Sequence, residues 1–320
     1  MTWYLTIALL LFSCIALSWL SSRFIKSLVV VAKYLNWREF VISFFIIAFA
    51  GALPNFFVDF NAVFQGMPEL ALGDIIGGNL VDLTLILAVA VFFSKRGLSA
   101  ESEMVQKSAV FTTIIAILPL FLIFDGNLDR ADGAILILVF LLYIWWLFSR
   151  KERFKQYYKN EPQSPIQGLK IFLFNLGKIV ILLILLLITS QIVVSSAQFF
   201  SSSLGISISL VGILIVGLGN TFPEMYFSII SARQDKNLMV LGSLMGSVII
   251  VTTLVLGSIA LVHPFEIKNI TPFFTARTFL VIAALLSLLF IKTGKKITKK
   301  EGLILLFVYI IFLLIEIFVR

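Results

Sequence analysis

The stretch GLGNTFPEMYFSII, Gly217–Ile230, decides the fold because it interrupts a long apolar run with glycines, a proline and a glutamate. Proline has no backbone N–H and clashes with the preceding helical turn, so it leaves carbonyl oxygens without their helical partners. At membrane depth such groups are tolerated only where protein or a water-filled cavity surrounds them. The stretch therefore predicts a broken helix that buries the carboxyl group of Glu224 beside free carbonyl oxygens.

The composition of the whole chain indicates a membrane protein with many spans. Of its 320 residues 60% are hydrophobic and 13% are charged, and the mean hydropathy is +1.07. A soluble domain is roughly half apolar and about one quarter charged. The apolar segments are too long for barrel strands, and a helix needs roughly 20 apolar residues to cross a bilayer. We predict an all-α integral membrane protein with about ten transmembrane helices, at 2–22, 37–65, 68–93, 107–124, 131–148, 170–200, 207–232, 237–262, 273–291 and 302–319.

The basic residues are unevenly distributed between the two sides of this arrangement. With the N-terminus outside, one side holds all 25 lysines and arginines except Arg130, Lys268, Arg277 and Arg320. Cytoplasmic loops carry an excess of positive charge, so we predict that both termini lie outside and that the 149–169 loop is cytoplasmic. The net charge of +8 then reports topology, and no nucleic-acid partner is expected. We expect a prokaryotic plasma membrane, with an organelle membrane as the alternative.

The chain repeats itself at an offset of 169 residues. FVISFFIIAFAGALPNFFVDF then overlays SLVGILIVGLGNTFPEMYFSI, which pairs Pro54 with Pro223 and Asn55 with Glu224. Each half has five spans, an odd number, so the second half enters the membrane from the opposite side. We predict two inverted repeats, 1–148 and 170–320, joined by a connector at 149–169. Inverted repeats are typical of secondary transporters, in which interrupted helices meet near the midplane and form the ion or substrate site.

Two carboxyl groups, Asp82 and Glu224, fall near the middle of predicted spans. A charged residue at a helix centre costs roughly 2.5–3.5 kcal/mol on insertion scales, so such residues are rare unless they serve a cavity or a pathway. No lysine or arginine lies near the middle of these helices, so cations or protons must neutralise them. Asp59 follows Asn55 by one turn and shares its helix face, at an angular separation of about 40°. For Asp74 two interpretations stay open, a position near an aqueous cavity or an N-terminal helix cap, and we favour the cap.

The pattern G-x-x-x-P-E, followed about eighteen residues later by L-G-x-x-x-G-S, occurs in two inverted copies and resembles the sodium/calcium exchangers of the cation/calcium exchanger superfamily. The second copy carries the pattern in full, at Gly219, Thr221, Pro223, Glu224, Gly242, Gly246 and Ser247. The first copy keeps Pro54, Gly73, Gly77 and Asn79. It departs from the family at the glutamate, which is Asn55, and at three hydroxyl positions, which are Gly51, Ala52 and Gly78.

The resemblance implies a cation site built from four positions, which here are Asn55, Asp82, Glu224 and Val251. Val251 cannot bind a cation, and Asn55 offers only a neutral oxygen. Calcium takes six to eight oxygen ligands, so further ligands are required. The candidates are Asp59, Asn79, Asn220, Thr221 and Ser247, with backbone carbonyl oxygens near Ala50 and Val216.

These residues imply a secondary-active cation antiporter that exchanges Ca²⁺ for Na⁺ or H⁺ by alternating access. Because three hydroxyl ligands are missing, we expect fewer coupled ions than in a typical member of the family. The expected partners are the transported cations and the lipid bilayer, without any cofactor, and the oligomeric state stays open. No enzyme motif appears. Two alternatives remain: a transporter of monovalent cations, protons or another solute on the same fold, and a membrane homologue that does not transport.

Overall fold

The computed structural model of the chain describes residues 3–34, 39–149, 165–267 and 273–318. Within these ranges, the described side chains exclude those at 25, 29, 32–34, 39–51, 148 and 165–169. The predicted connector at 149–169 therefore falls almost wholly outside the described residues.

Helices account for most of the described chain, and they coincide with the ten predicted spans. Eight are long and apolar enough to cross a bilayer, and a bent pair makes a ninth candidate. The helices are α1 Trp3–Tyr34, α2 Glu39–Phe64, α3 Pro68–Phe93, α4 Glu103–Leu122, α5 Arg130–Ser149, α6 Pro165–Leu204, α7 Ile208–Asn220, α8 Phe222–Arg233, α9 Asn237–Val262, α10 Phe274–Lys292 and α11 Lys299–Phe318. Helix α2 falls on the predicted span 37–65, and its 26 residues exceed the roughly 20 that a crossing needs.

Two short antiparallel sheets join the halves at opposite ends of the molecule. Strand β1 (Leu98–Ser99) pairs with β4 (Lys296–Ile297), and β2 (Asn127–Leu128) pairs with β3 (Phe265–Glu266). In each sheet one strand comes from each half of the chain. Since β1 precedes α4 and β2 follows it, the two sheets lie at opposite ends of α4. At the offset of 169 residues β1 corresponds to the region of β3, and β2 to that of β4, so each sheet pairs non-equivalent loops of the two halves. Halves of inverted topology have their equivalent loops at opposite ends of the molecule, as observed here.

The centre of the fold is a close crossing of α3 with α7, one helix from each half. Glycines make this approach possible: a Cβ added at Gly73 would lie 2.5 Å from the Ser209 carbonyl oxygen, and one added at Gly212 would lie 2.5 Å from that of Leu70. Small residues allow membrane helices to approach to backbone contact. The crossing therefore holds buried residues of both repeats next to each other.

The expected helix breaks differ between the halves. At Thr221, two residues before Pro223, the chain bends by 40° between α7 and α8. The predicted break is therefore confirmed in the second half. In the first half α2 continues through Pro54 without interruption, so the predicted break there is wrong. The two halves differ in the backbone just before the proline. Thr221 adopts a non-helical conformation (φ −89°, ψ 0°) that ends α7, whereas the residues before Pro54 stay helical.

Wider π-helical turns interrupt the regular helices at three places, Asp82–Ile86 in α3, Gly212–Val216 in α7 and Ile250–Val255 in α9. The first and third turns fall on equivalent positions of the two repeats. Such turns are frequently found at functional sites. Asp82 is the first residue of the first π-helical turn, so its side chain projects from a widened part of α3.

The long helices α1 and α6 pack against each other beside this core. They have 32 and 40 residues, and both extend beyond the predicted spans 2–22 and 170–200. Aromatic contacts join them at one end, where the Trp3 ring lies 5.7 Å from that of Phe199 and 5.9 Å from that of Phe200.

We expect Gly73→Ala to destabilise the protein, because its Cβ would overlap the Ser209 carbonyl oxygen at the α3–α7 crossing. Overpacking of a tight core typically costs about 1–3 kcal/mol. Thermal unfolding of the detergent-solubilised chain, followed by size-exclusion chromatography, measures the effect. Gly177→Ala in α6 is the matched control, since no described atom lies within 4 Å of its added Cβ. Equal stability of the two variants would contradict the close crossing.

Candidate functional site

Side chains from α2, α3, the α7–α8 break and α9 meet in the interior. Every candidate ligand whose side chain is described is buried there, namely Asn55, Asp59, Asn79, Asp82, Val216, Asn220, Thr221, Glu224 and Ser247. Ala50 belongs to α2, but its side chain lies outside the described ones. The structure thus gathers residues from both repeats in one buried region.

The first group at the site is a pair of carboxyl groups, Asp82 and Glu224. The two interact electrostatically, and the Ser247 hydroxyl lies within hydrogen-bonding reach of both. Glu224 lies in the first turn of α8, which begins at Phe222. Carboxylates are stabilised there by the free N–H groups of the turn and by the positive end of the helix dipole. The break before α8 therefore creates a helix N-terminus for Glu224 inside the protein.

The second group is Asp59 with Asp74, and it lies beside the first. Both side chains are fully buried (0% exposed) and interact with each other. The Asn220 amide donates a hydrogen bond of 2.7 Å from Nδ2 to Asp74 Oδ2. The favoured interpretation of Asp74 as a helix cap is wrong, because α3 starts at Pro68, with Met67 at its N-cap. Asp74 instead lies inside the helix and points at the other repeat.

Three polar residues join these groups to the surrounding helices. The Thr221 hydroxyl donates to the carbonyl oxygens of Gly217 and Leu218, both at 3.0 Å, and so covers the end of α7. Asn79 donates from Nδ2 to Thr252 Oγ1 at 2.7 Å, which links α3 to α9. Asn55 faces the other repeat near Thr221 and the Gly78 backbone. These bonds fix the positions of the amide and hydroxyl groups around the carboxyl groups.

The site contains buried oxygen atoms without hydrogen-bond partners. Among the described residues they are Asn55 Oδ1, Asp59 Oδ1 and Oδ2, Asp74 Oδ1, Asp82 Oδ1, Asn220 Oδ1 and Glu224 Oε2. All of these atoms are acceptors when the carboxyl groups are ionised. A buried polar group without a partner costs about 1–3 kcal/mol, so the concentration of such groups at one place needs an explanation.

Basic side chains do not pair with these buried oxygen atoms. In the described ranges the ion pairs join Lys95 with Asp235 and Lys107 with Glu103, on exposed side chains. In the same part of the chain, no three histidine, cysteine, aspartate or glutamate residues are close enough to share one metal ion. The strongest interactions among the four acids join Asp59 with Asp74 and Asp82 with Glu224.

A small cavity of about 20 Å³ adjoins Asp82. It lies between α3, α4, α9 and α10 and includes the polar side chains of Thr112 and Ser287. The volume suffices for about one water molecule.

Two residues at the site were missed by sequence reasoning. Thr252 pairs with Asn79, and the signal for it was available, because Thr252 follows Val251, the position that the repeat pairs with Asp82. Cys14 of α1 lies beside Gly219 and interacts with Asp74. No spacing in the sequence places α1 against this point, so only the packing of helices reveals it. Val251 itself is buried, as an apolar side chain in the place of an acid.

A helical membrane protein with two inverted repeats and paired acids between them has the architecture of a secondary cation transporter. The sodium/calcium exchanger protein family matches residues 5–149 and 174–318 of the chain. The chain therefore belongs to the sodium/calcium exchanger protein family, whose members are membrane transporters and not enzymes.

Similar proteins include the sodium/calcium exchanger MaX1 of Methanosarcina acetivorans, 25% identical over 92% of this chain and 93% of MaX1. The putative antiporter CaxA of Alkalimonas amylolytica is 25% identical over 92% of this chain and 93% of its own length. Among solved structures, the sodium-calcium exchanger NCX_Mj superposes with a TM-score of 0.63 at 25% identity, over 97% of this chain and 98% of the other. The predicted family and the fold of inverted repeats are thereby confirmed.

We expect Thr252→Val to destabilise the protein, because it removes the acceptor of the Asn79 amide in the interior. Leaving a buried donor unpaired costs about 1–3 kcal/mol. The free energy of unfolding in detergent micelles measures the loss. Thr278→Val is the control, since Thr278 is exposed on α10 and donates only to the Phe274 carbonyl oxygen. A loss at position 252 no larger than at 278 would show that the Asn79–Thr252 bond contributes nothing.

Proposed function

We propose that the chain is a cation antiporter that exchanges Ca²⁺ for Na⁺ or H⁺ at a mid-membrane site centred on Asp82 and Glu224. One observation carries the proposal: the buried acids present unpaired acceptor oxygens to each other, and no described basic side chain neutralises them. An arrangement of this kind is stable when a cation or protons occupy it. The names of MaX1 and NCX_Mj support sodium and calcium as the exchanged ions.

Charge and coordination define what this site accepts. Two ionised carboxylates balance one Ca²⁺, two Na⁺ or two protons, so one pair of acids can hold either set of ions in turn. Ca²⁺ takes about six to eight oxygens at roughly 2.3–2.6 Å. Besides Asp82 and Glu224, we assign Ser247, Asn55 and Thr221 as neutral ligands, because Ser247 lies within reach of both carboxyl groups and all three residues are buried in the same region. The carbonyl oxygens near Ala50 and Val216 and the oxygen of Asn79 complete the proposed set.

Alternating access is supported by the construction of the core. Asp82 and Glu224 come from different repeats and meet where α8 packs against α3, so a movement between the repeats changes which side opens. The cavity beside Asp82 supports a path on the side of α4. We assign the paired helices α1 and α6 as the part that slides against this core.

A second candidate function is the transport of monovalent cations without calcium. Asn55 and Val251 favour it, because both positions lack the carboxylate that calcium ligation uses most. In this second function Na⁺ and H⁺ exchange at the Asp82–Glu224 pair. Na⁺ carries a single charge, so neutral oxygen atoms can replace the missing carboxylates as its ligands. A homologue that does not transport is the third possibility, and the same experiment distinguishes all three.

We expect Glu224→Gln to reduce Na⁺- or H⁺-driven Ca²⁺ uptake at least tenfold. The substitution keeps the shape of the side chain and removes its charge, and a charged hydrogen-bonding or ligating group contributes about 1.5–3 kcal/mol, where 1.4 kcal/mol is tenfold in affinity. Proteoliposomes loaded with Na⁺, or held under a pH gradient, and supplied with radioactive Ca²⁺ provide the measurement.

The control for this assay is Glu266→Gln, an exposed acid of β3 outside the site. It should transport like the unmodified chain. Sodium or proton flux without calcium would establish the monovalent function instead, and no flux of any ion would establish the homologue that does not transport. Calcium uptake unaffected by Glu224→Gln would refute the proposed site.

We also propose an orientation in a prokaryotic plasma membrane, with both termini outside and the connector 149–169 in the cytoplasm between repeats 1–148 and 170–320. The sheet of β1 and β4 then lies at the cytoplasmic end, next to Lys295, Lys296, Lys299 and Lys300. The sheet of β2 and β3 lies at the outer end.

We expect a membrane-impermeant maleimide to label Arg130→Cys on intact bacterial cells, and Lys300→Cys only after permeabilisation. Both positions are exposed, and they follow strands of opposite sheets. The native Cys14 is buried and should not react. The reverse labelling pattern would invert the proposed topology.

A further inference from the structure

We propose that Asp59, Asp74 and Asn220 form a second cation site, separate from the Asp82–Glu224 pair, which binds a hard, oxygen-ligated cation. The inference rests on the proposed function only in taking the Asp82–Glu224 pair as the first site. It means that the chain holds two cations at the same time.

The carboxyl groups of Asp59 and Asp74 lie within hydrogen-bonding reach of each other, and several oxygen atoms of the group receive no hydrogen bond from any other residue. Both oxygens of Asp59, Oδ1 of Asp74 and Oδ1 of Asn220 are buried and unpaired. Asn220 is 1% exposed, and its Nδ2 donates to Asp74 Oδ2 at 2.7 Å. This bond holds the Asn220 amide against the carboxyl group of Asp74. Carboxylate and amide oxygens are the ligands that a hard cation such as Na⁺ or Ca²⁺ takes, and here two carboxyl groups and one amide are buried together.

This group does not extend the first site into one large centre. Among the described residues, no three acids are close enough to share a single ion. Asp59 interacts with Asp74, and Asp82 interacts with Glu224, so each pair forms its own centre. Glu224 also interacts with Asp74, which indicates that the two centres are neighbours. Cations in both centres would each screen the charge of the other pair.

The distribution of charge between the repeats supports a second ion. At the offset of 169, Asp82 falls on Val251 and Glu224 on Asn55, so each repeat lacks one acid at the first site. Asp59 and Asp74 fall on Ser228 and Ser243, which are neutral. Asn55 and Val251 therefore bring no carboxylate to the first site, whereas the first repeat carries two further acids, Asp59 and Asp74, one helix turn or more away.

Equilibrium binding of radioactive Na⁺ and radioactive Ca²⁺ to the full chain in detergent tests the proposal. At Ca²⁺ concentrations that keep a single Ca²⁺ at the Asp82–Glu224 pair, we expect the unmodified chain to bind two cations in total. Asp59→Asn and Asp74→Asn should each reduce this number to one, and the remaining cation should disappear in the double variant with Glu224→Gln. The isotope whose binding is lost shows whether the second site takes Na⁺ or Ca²⁺.

Asp235→Asn is the matched control, because Asp235 is exposed, pairs with Lys95 and has a positive φ of 55° that asparagine tolerates. It should bind two cations. Retained binding of the Glu224-dependent cation shows that Asp59→Asn and Asp74→Asn are folded. If one of these variants does not fold, the number of cations bound by the other variant tests the second site.

Two results would overturn the second site. One is two bound cations in both Asp59→Asn and Asp74→Asn. The other is a single bound cation in the unmodified chain, as expected if the two aspartates merely share a proton. Calcium uptake that survives Glu224→Gln, together with loss of one cation in Asp59→Asn, would refute the proposed function and leave the second site standing.

Discussion

Burial of four carboxyl groups without a described basic partner is the constraint on which the rest of this structure depends. Asp59, Asp74, Asp82 and Glu224 all lie in the interior, where an uncompensated charge costs several kcal/mol. A soluble protein would pair such groups with lysine or arginine. In the function proposed above, the transported ions or protons provide this compensation, which connects the stability of the core to transport.

The helices are shaped to meet this requirement. Glycines at the α3–α7 crossing bring two backbones into contact, which places Asp74 of one repeat against Asn220 of the other. The bend at Thr221 then starts a new helix inside the protein, so that Glu224 receives the N–H groups of a first turn. Packing and electrostatics thus act at the same place: the crossing joins Asp74 to Asn220, and the bend places Glu224 in the first turn of a helix.

Much of this architecture could be predicted from the sequence, because its causes are local. The length and hydropathy of apolar runs set the ten spans, and the repeat at an offset of 169 residues set the inverted halves. The same reasoning selected Asp82 and Glu224, since a charged residue in an apolar span stands out by itself, and the resemblance to the family pattern added Ser247. It failed at Pro54 and Asp74, where neighbouring turns decide whether a helix continues and where it starts.

The sequence alone therefore determined the membrane-embedded helical class, the repeat and the residues able to carry charge. Only the tertiary structure decided how these residues combine. It separated four acids into two pairs, joined Asn79 to Thr252, and placed Cys14 beside Asp74. The physical reason is that hydropathy and spacing act along one helix, whereas the pairing of side chains depends on which backbones can approach each other. In this chain the glycines of α3 and α7 set that approach.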